Sequence, residues 1–505
     1  MIGANAFFSD DLLISVSAFL ISLILTPLIR RRCQQRHMLD FPTSPRKIHV
    51  KPIPRLGGIA IYLAFFLPLF ASLLTDGAIS EVFSRQLDTL LSLFATSTLI
   101  FAIGVYDDIR GATVMQKLTV QFVAATLIYF LGFKVQMLAV PFIGPVSLGF
   151  WELPVTLLWI VGVTNALNFI DGVDGLACGV GFFSISTMFM LALFLQNAVI
   201  PFFAAALAGG LLGFAWYNFA PASIFMGDSG SLFVGFMIAT ISLQGAQKSS
   251  TAVVLLIPIV ALGVPIADTL LAIIRRLGNG YSPFMADKEH IHHRLLRMGL
   301  SSRQVTLVLY AVCCLLGITA LLMTAVNNQV LTLILLILTV MTIGGMKMLG
   351  YTTDMIKINH LAKERIQHRK RLFERQRCAD EIIAEIRAST NIAILQKELL
   401  RYFENMEFDV GKFLTNRDGT EFTWYSPRYT EQSITPDQVW TMSFPLIVSN
   451  EKYGELLVGK YWDAASSLFE TIIGVETLKQ AIEESLAQIP QMSYFAAGQR
   501  GCDMG

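Results

Sequence analysis

The acidic, amide and imidazole side chains of this sequence collect in a few tight groups within an otherwise apolar chain. Gly104-Val105-Tyr106-Asp107-Asp108 sets two adjacent carboxylates at the end of an apolar run. Carboxylates so close repel each other and are poorly solvated at a membrane-embedded helix end, so a cation should compensate them. Two readings stand: helix-end acids exposed to water, or a magnesium ion shared with a phosphate substrate. Magnesium is commonly held by one or two carboxylates plus phosphate oxygens. Asn165, Asn168, Asp171 and Asp174 recur at intervals of three. While the chain stays helical, that interval lines their side chains along one face. Gly172 and Gly175 permit a sharp helix end and close approach of a ligand to backbone; an Asx-rich helix terminus is the competing reading.

A third group runs from Asn218 through Pro221, Phe225, Met226, Gly227 and Asp228 to Ser231. Asp228 suits a helix N-cap, and its flanking glycines suit backbone packed close against a phosphate or metal. The fourth is Asp287-Lys288-Glu289-His290-Ile291-His292-His293-Arg294. Three histidines beside Lys288 and Arg294 can donate hydrogen bonds to phosphate or sugar oxygens. No cysteine accompanies them and their neighbours are basic, which disfavours zinc. His49, Lys51 and Arg55, followed by Gly57-Gly58, suit an anionic head group or simply mark the positive side of a membrane. Asp268 sits inside an apolar stretch roughly 10 Å from Arg275 and Arg276 along a helix, so its partner lies elsewhere; it reads as support for the groups that touch substrate.

The elements that position these groups are membrane helices. The chain has 505 residues, 54% hydrophobic and only 15% charged, against about 25% charged in soluble domains. Apolar stretches near or above the ~18 residues that span a bilayer recur up to residue 350 and then stop. Eleven spans are expected, near 12–29, 57–75, 89–106, 118–138, 152–169, 176–195, 199–218, 229–245, 251–274, 304–325 and 329–349. The fold class is an all-α polytopic membrane protein of about 11 transmembrane helices with a C-terminal cytoplasmic α+β domain. The opening MIGANAFFSDD has no basic n-region, so the first run reads as an anchor rather than a cleaved signal. The six cysteines show no metal spacing and read as free thiols.

Lys and Arg crowd the odd-numbered loops: Arg30, Arg31, Arg32, Arg36, Arg46, Lys47, Lys51 and Arg55 after the first span, Arg110 and Lys117 after the third, Arg275, Arg276, Lys288, Arg294, Arg297 and Arg303 after the ninth. Even loops hold little beyond Arg85, Lys134 and Lys248. The N-terminus is therefore expected outside, with the odd loops and the tail cytoplasmic. All four polar groups fall on that same side.

Read together, PRLGG, YDDIRG, NALNFIDGVDGL, NFAPASIFMGDSGSL, PIADTLLAIIRR and DKEHIHHRLL resemble, in order, the polyprenyl-phosphate N-acetylhexosamine-1-phosphate transferase family over residues 12–350. The resemblance implies transfer of a sugar 1-phosphate from a UDP-sugar to undecaprenyl phosphate with release of UMP. It implies magnesium, with manganese as the alternative. It also implies catalytic roles for Asp107, Asp108 and Asp171, and metal ligation by Asp228 with Asp171 beside it. Asn168 would lie near the metal, Asp174, Asn218 and Phe225 would line a uridine pocket, and His290, His292 and His293 with Arg294 would read sugar and diphosphate. Lys51 and Arg55 would face the lipid phosphate. The wording of the histidine loop resembles the branch that uses UDP-N-acetylglucosamine to initiate cell-surface polysaccharides. The alternatives are another UDP-N-acetylhexosamine, or UDP-N-acetylmuramoyl-pentapeptide. Two routes stand open: direct attack, or passage through an aspartyl phosphate. A secondary transporter with an Asp/His relay is the rival from another class, but it favours charges at the bilayer midplane and repeated halves.

After residue 350 the character changes. Residues 351–405 are charged and helix-favouring, a cytoplasmic linker. Residues 406–505 read as a small α+β domain with hairpins near Arg417-Asp418-Gly419 and Ser449-Asn450-Glu451-Lys452 and a last helix over 464–488. Its pattern faintly resembles the later half of GAF-like domains. Expected partners are the UDP-sugar, undecaprenyl phosphate, the bilayer of a bacterial inner membrane and a second copy forming a homodimer through the C-terminal domain, with no nucleic acid.

Overall fold

The computed structural model describes residues 2–41, 52–75, 78–140, 144–247, 256–282, 289–326, 328–415, 421–427, 439–461 and 468–489. The chain divides into two units, Met1–Asn359 and His360–Gly505. The first is helical: α1 (Ile2–Gln35), α2 (Gly58–Ser72), α3 (Ala78–Arg85), α4 (Leu87–Arg110), α5 (Val114–Phe130), α6 (Glu152–Ile170), α7 (Leu176–Phe194), α8 (Ile200–Asn218), α9 (Gly227–Gln247), α10 (Leu256–Ala261), α11 (Gly263–Gly278), α12 (Ile291–Arg297), α13 (Ser302–Leu322) and α14 (Asn328–Met348), with α15 (Tyr351–Arg387) beginning in it. Two short antiparallel pairs interrupt the helices, β1 (Leu39–Asp40) with β2 (Ile53–Pro54) and β3 (Met137–Val140) with β4 (Gly144–Ser147).

Among the described residues 7 helices are long and apolar enough to cross a membrane. This is a multi-pass membrane protein, but that criterion does not reach the expected eleven. Of the other four expected spans, α2 and α5 are short, with 15 and 17 residues. The one expected over 229–245 falls on α9, which carries Ser229, Ser231, Thr240 and Ser242 among its apolar residues. The span expected over 251–274 is two helices, α10 and α11, broken at Leu262 between Pro258 and Pro265. A proline supplies no N–H and crowds the preceding turn, which is reason enough for the break.

The polar content of α9 has a physical reason. It runs through the middle of the bundle, packed by α2, α4, α6 and α7, and Leu232, Phe233, Val234, Phe236, Met237 and Ile238 are fully buried. Between membrane helices, close backbone approach replaces hydrophobic drive. A Cβ on Gly209 would stand 2.1 Å from the Ser15 carbonyl oxygen, and one on Gly213 would stand 2.4 Å from that of Phe19. These two glycines, four apart on α8, let α1 lie against it.

In the second unit, α16 (Ile392–Asn405) and α17 (Leu468–Gln488) accompany a four-stranded antiparallel sheet ordered β6-β5-β8-β7. The strands are β5 (Val410–Thr415), β6 (Glu421–Tyr425), β7 (Val439–Val448) and β8 (Glu451–Tyr461). Phe413, Leu456 and Leu446 share a buried core with Leu399, Tyr402 and Phe403 of α16 and Leu478 and Ile482 of α17. Ser449 and Asn450, with φ 54 and 70, turn β7 into β8, the left-handed geometry a two-residue hairpin demands.

Candidate active site

The acid groups at 107–108 and 228 meet where the C-terminus of α4 abuts the N-terminus of α9. The two carboxylates of the pair do different things. Asp108 accepts from the Asp228 backbone N–H at 2.9 Å and the Ser229 N–H at 3.0 Å, one on each oxygen. It therefore caps α9, satisfying donors that a helix start leaves over. Gly227, at φ +72, is required there, because a Cβ would lie 2.5 Å from an Asp108 oxygen. On α4, a Cβ at Gly104 would lie 2.5 Å from the Ser229 Cα.

Asp107 points instead at a cation. Its Oδ2 receives Lys117 Nζ at 3.0 Å, and the same Nζ reaches Asp228 Oδ2 at 2.7 Å; its Oδ1 accepts from the Ala112 N–H. All three side chains keep a partial opening to the outside, 17% for Asp107, 27% for Asp228 and 22% for Lys117. The sequence reading counted Lys117 only as loop charge. The signal that places it is the capping box of Thr113 and Gln116, which starts α5 immediately after the turn at Gly111 and folds its first turn back toward Asp107.

Along α6 the amide stripe reaches two neighbours and then the acids. Asn165 pairs with Gln121 of α5, its Nδ2 at 2.5 Å from Gln121 Oε1. Asn168 donates to Ser231 of α9 at 2.8 Å. The helix stops at Ile170, and Asp171 is its C-cap. The charges of Asp228, Asp108 and Asp174 all bear on Asp171, yet no donor among the described residues reaches its carboxylate. Asp174, past the helix end, leaves the stripe: its Oδ2 accepts the Ala222 N–H at 2.9 Å. Asn218 is 2% exposed and donates to the Ile224 carbonyl at 2.9 Å. Phe225 donates its backbone N–H to Pro54 O at 2.8 Å and accepts from Gly57 N at 3.0 Å. Asp174, Asn218 and Phe225 thus build the 219–226 turn and join it to the Pro54–Gly58 segment. Arg55 pairs with Asp40 of β1; Lys51 lies outside the described residues, as do His49 and Lys288.

The histidine segment folds back into the bundle. His290 and His292 are 5% and 2% exposed, with rings parallel at 5.7 Å, and His293 lies 4.4 Å from His292. His292 Nε2 is 3.1 Å from where a Cβ on Gly172 would stand, so this arm adjoins the acid cluster at the residue after Asp171. Burial, with His293 beside it, holds the His292 imidazole down at about 3, and the ring stays neutral. Asp268 finds its partner here, in His290. Arg294 is held by several protein partners. Its guanidinium pairs with Glu289 at 3.1 Å, donates to Leu349 O at 2.8 Å and lies 3.9 Å over the Tyr351 ring. It ties α12 to the end of α14 and the start of α15. Arg276, which the sequence reading used only for orientation, sits 5.8 Å over Phe169, between Asn168 and Asp171 in sequence.

Among the described residues no three His, Cys, Asp or Glu groups converge closely enough to hold a metal by themselves. What is present is a set of hard carboxylate oxygens and, in Asp171, an acid that meets no donor among the described residues. That donor set fits a magnesium ion completed by phosphate oxygens rather than an all-protein cage.

Residues 90–246, which contain the two aspartate pairs and the turn before α9, match the model of glycosyl transferase family 4. The chain is 37% identical over 365 residues to a Bacillus subtilis (strain 168) protein named a probable undecaprenyl-phosphate N-acetylglucosaminyl 1-phosphate transferase, covering 71% of this chain and 97% of that one. It is 34% identical to the decaprenyl-phosphate N-acetylglucosaminephosphotransferase of Mycobacterium tuberculosis (61% and 81% covered). With the undecaprenyl-phosphate alpha-N-acetylglucosaminyl 1-phosphate transferase of Escherichia coli K12 it shares 27% identity (60% and 81% covered). The ordered motifs and this similarity along nearly the whole Bacillus protein agree: the chain belongs to glycosyl transferase family 4, among the polyprenyl-phosphate N-acetylhexosamine-1-phosphate transferases.

Proposed function

We propose that this transferase moves N-acetylglucosamine 1-phosphate from UDP-N-acetylglucosamine to undecaprenyl phosphate, releasing UMP and initiating a cell-surface polysaccharide on its lipid carrier. The observation that carries the reading is the Asp107–Lys117–Asp228 bridge beside Asp171, whose carboxylate meets no donor among the described residues.

In this reading Asp228 and Asp171 hold a magnesium ion, which when bound neutralises the diphosphate charge. Asp107, paired with Lys117, accepts the proton of the lipid phosphate or holds that phosphate in line. Lys117 screens the incoming phosphate from the carboxylates around it. An oxygen of the lipid phosphate bonds to the sugar-bearing phosphorus while the bond from that phosphorus to the bridging oxygen breaks, and UMP leaves. Asp108, with one amide donor on each oxygen, holds the start of α9 in place beside Asp107. An apolar groove of about 620 Å³ on α5, lined by Met115, Leu118, Phe122, Val123 and Leu127, suits the polyprenyl chain. His292, next to Gly172, and His293 beside it face the sugar nucleotide.

The positive loops support a bacterial inner-membrane protein with its N-terminus outside and this site cytoplasmic. We assign the second unit to homodimer formation, which light scattering of the detergent-solubilised full chain checks. The central test mixes purified protein, magnesium and undecaprenyl phosphate with a panel of UDP-sugars and measures UMP. Release of UMP with UDP-N-acetylglucosamine is expected. No release from any sugar defeats the transfer reaction, and preference for UDP-N-acetylmuramoyl-pentapeptide defeats the sugar assignment. Phosphate trapped on Asp107 in the absence of lipid overturns direct attack.

A further inference from the structure

Asp268 lies within α11 and is 1% exposed. A carboxylate buried so completely needs donors on both oxygens. One short piece of chain supplies them. The His290 ring presents Nδ1 at 3.0 Å to Oδ2, and the Ile291 backbone N–H reaches Oδ1 at 2.8 Å. A carboxylate only accepts, so the shared proton belongs to Nδ1, and Nε2 is the nitrogen His290 has left for another group. The ring is fixed on its faces as well, parallel to His292 and 6.0 Å from Phe169, which precedes the Asp171 turn. The same carboxylate, through Ile291, anchors the first residue of α12, the helix that carries His292 and His293.

We infer that Asp268 is a positioning residue for the sugar nucleotide: it pins the tautomer and ring plane of His290 so that Nε2 meets an oxygen-bearing group of the UDP-sugar. The inference rests on the transferase reading above. Asp268 itself touches no substrate; its effect passes through His290.

Asp268→Asn is the sharp variant. Its Oδ1 still accepts from Ile291, but its amide now faces Nδ1 as a donor and drives the ring proton to Nε2. We expect KM for the UDP-sugar to rise about tenfold, the size of a coupled contact pair. KM for undecaprenyl phosphate stays unchanged. In a His290→Ala background, adding Asp268→Asn then moves the UDP-sugar KM by less than about twofold, since its route is gone. A rise in both KM values together, or effects of the two substitutions that multiply, overturns the inference in favour of a purely structural Asp268. His290→Asn gives a second reading should Asp268→Asn not fold: it raises the UDP-sugar KM alone, and an unchanged value overturns the inference. Wild-type protein is assayed first, so that absence of UMP release there counts against the transferase reading and not against Asp268.

Discussion

Asp107 and Asp108 are neighbours in sequence with opposite tasks. Asp107 faces Lys117; Asp108 is spent on the Asp228 and Ser229 amides. Asp107→Asn is therefore expected to lower kcat by about 10²–10³, with the thermal midpoint held. Asp108→Ala is expected to cost about 1–2 kcal/mol of stability as a lost helix cap besides its loss of activity. Paired thermal melts and UMP assays separate the two, and equal effects of both substitutions on the midpoint would contradict the division. Lys117→Met should lower kcat by about 10²-fold or more, since it leaves Asp107 and Asp228 facing each other uncompensated. The neutral His292 gives a pH signature. Its folded value of about 3 lies below the ordinary 6.5, so as pH falls the unfolded chain takes up this proton first. The stabilising contribution is whole above pH 6.5 and drains away toward pH 3. Between about pH 7.5 and pH 5 the thermal midpoint should fall less in His292→Gln than in wild type; equal falls would remove His292 as the cause. That acids and histidines gather in one place was legible in the sequence, because charge inside apolar runs is conspicuous. Which acid serves which partner was not. The Asp108–Asp228 bond joins residues 120 apart, and a lone Lys117 near a helix start looks like any loop charge until α5 folds it back.

At the scale of elements, apolar runs placed the helices well and their surroundings poorly. Helices stand in each of the eleven expected stretches; the eighth, short and interrupted by glycine in the sequence, is α9, the buried centre. Burial by other helices leaves a sequence similar to burial by lipid. The break between α10 and α11 was announced by Pro258 and Pro265, and the run of apolar residues around them masked it. Arg294 reads in sequence only beside its three histidines; its contacts with Leu349 and Tyr351 lie far along the chain and are visible only in the fold. The glycines of the crossing make a firm prediction. A Cβ at Gly58 would stand 2.2 Å from the Gly230 backbone nitrogen, with no flexible side chain to yield. Gly58→Ala should therefore prevent accumulation of folded protein, seen as loss of the monodisperse peak in detergent size exclusion. A normal peak with normal activity would mean that α2 and α9 can part at no cost.

The whole molecule combines a membrane unit with a second one of its own core. The Bacillus relative is 97% covered by 71% of this chain, a length close to that of Met1–Asn359. A chain ending at Asn359 is therefore expected to release UMP at a rate within about threefold of the full protein, a shift under 1 kcal/mol. Loss of activity in a folded truncated chain would tie the second unit to the reaction. The hairpins and last helix of that unit were legible from alternation and turn residues, since a small sheet with one buried face writes its pattern plainly. Where α2, α4 and α9 cross, Gly57, Gly58, Gly104, Gly227 and Gly230 make the floor of the acid cluster out of main chain. Peptide backbone offers selection almost nothing to vary. In the proposed reaction, a different donor sugar or acceptor lipid is then accommodated by side chains at the rim, on the histidine arm and the outer face of α5, and not by the floor.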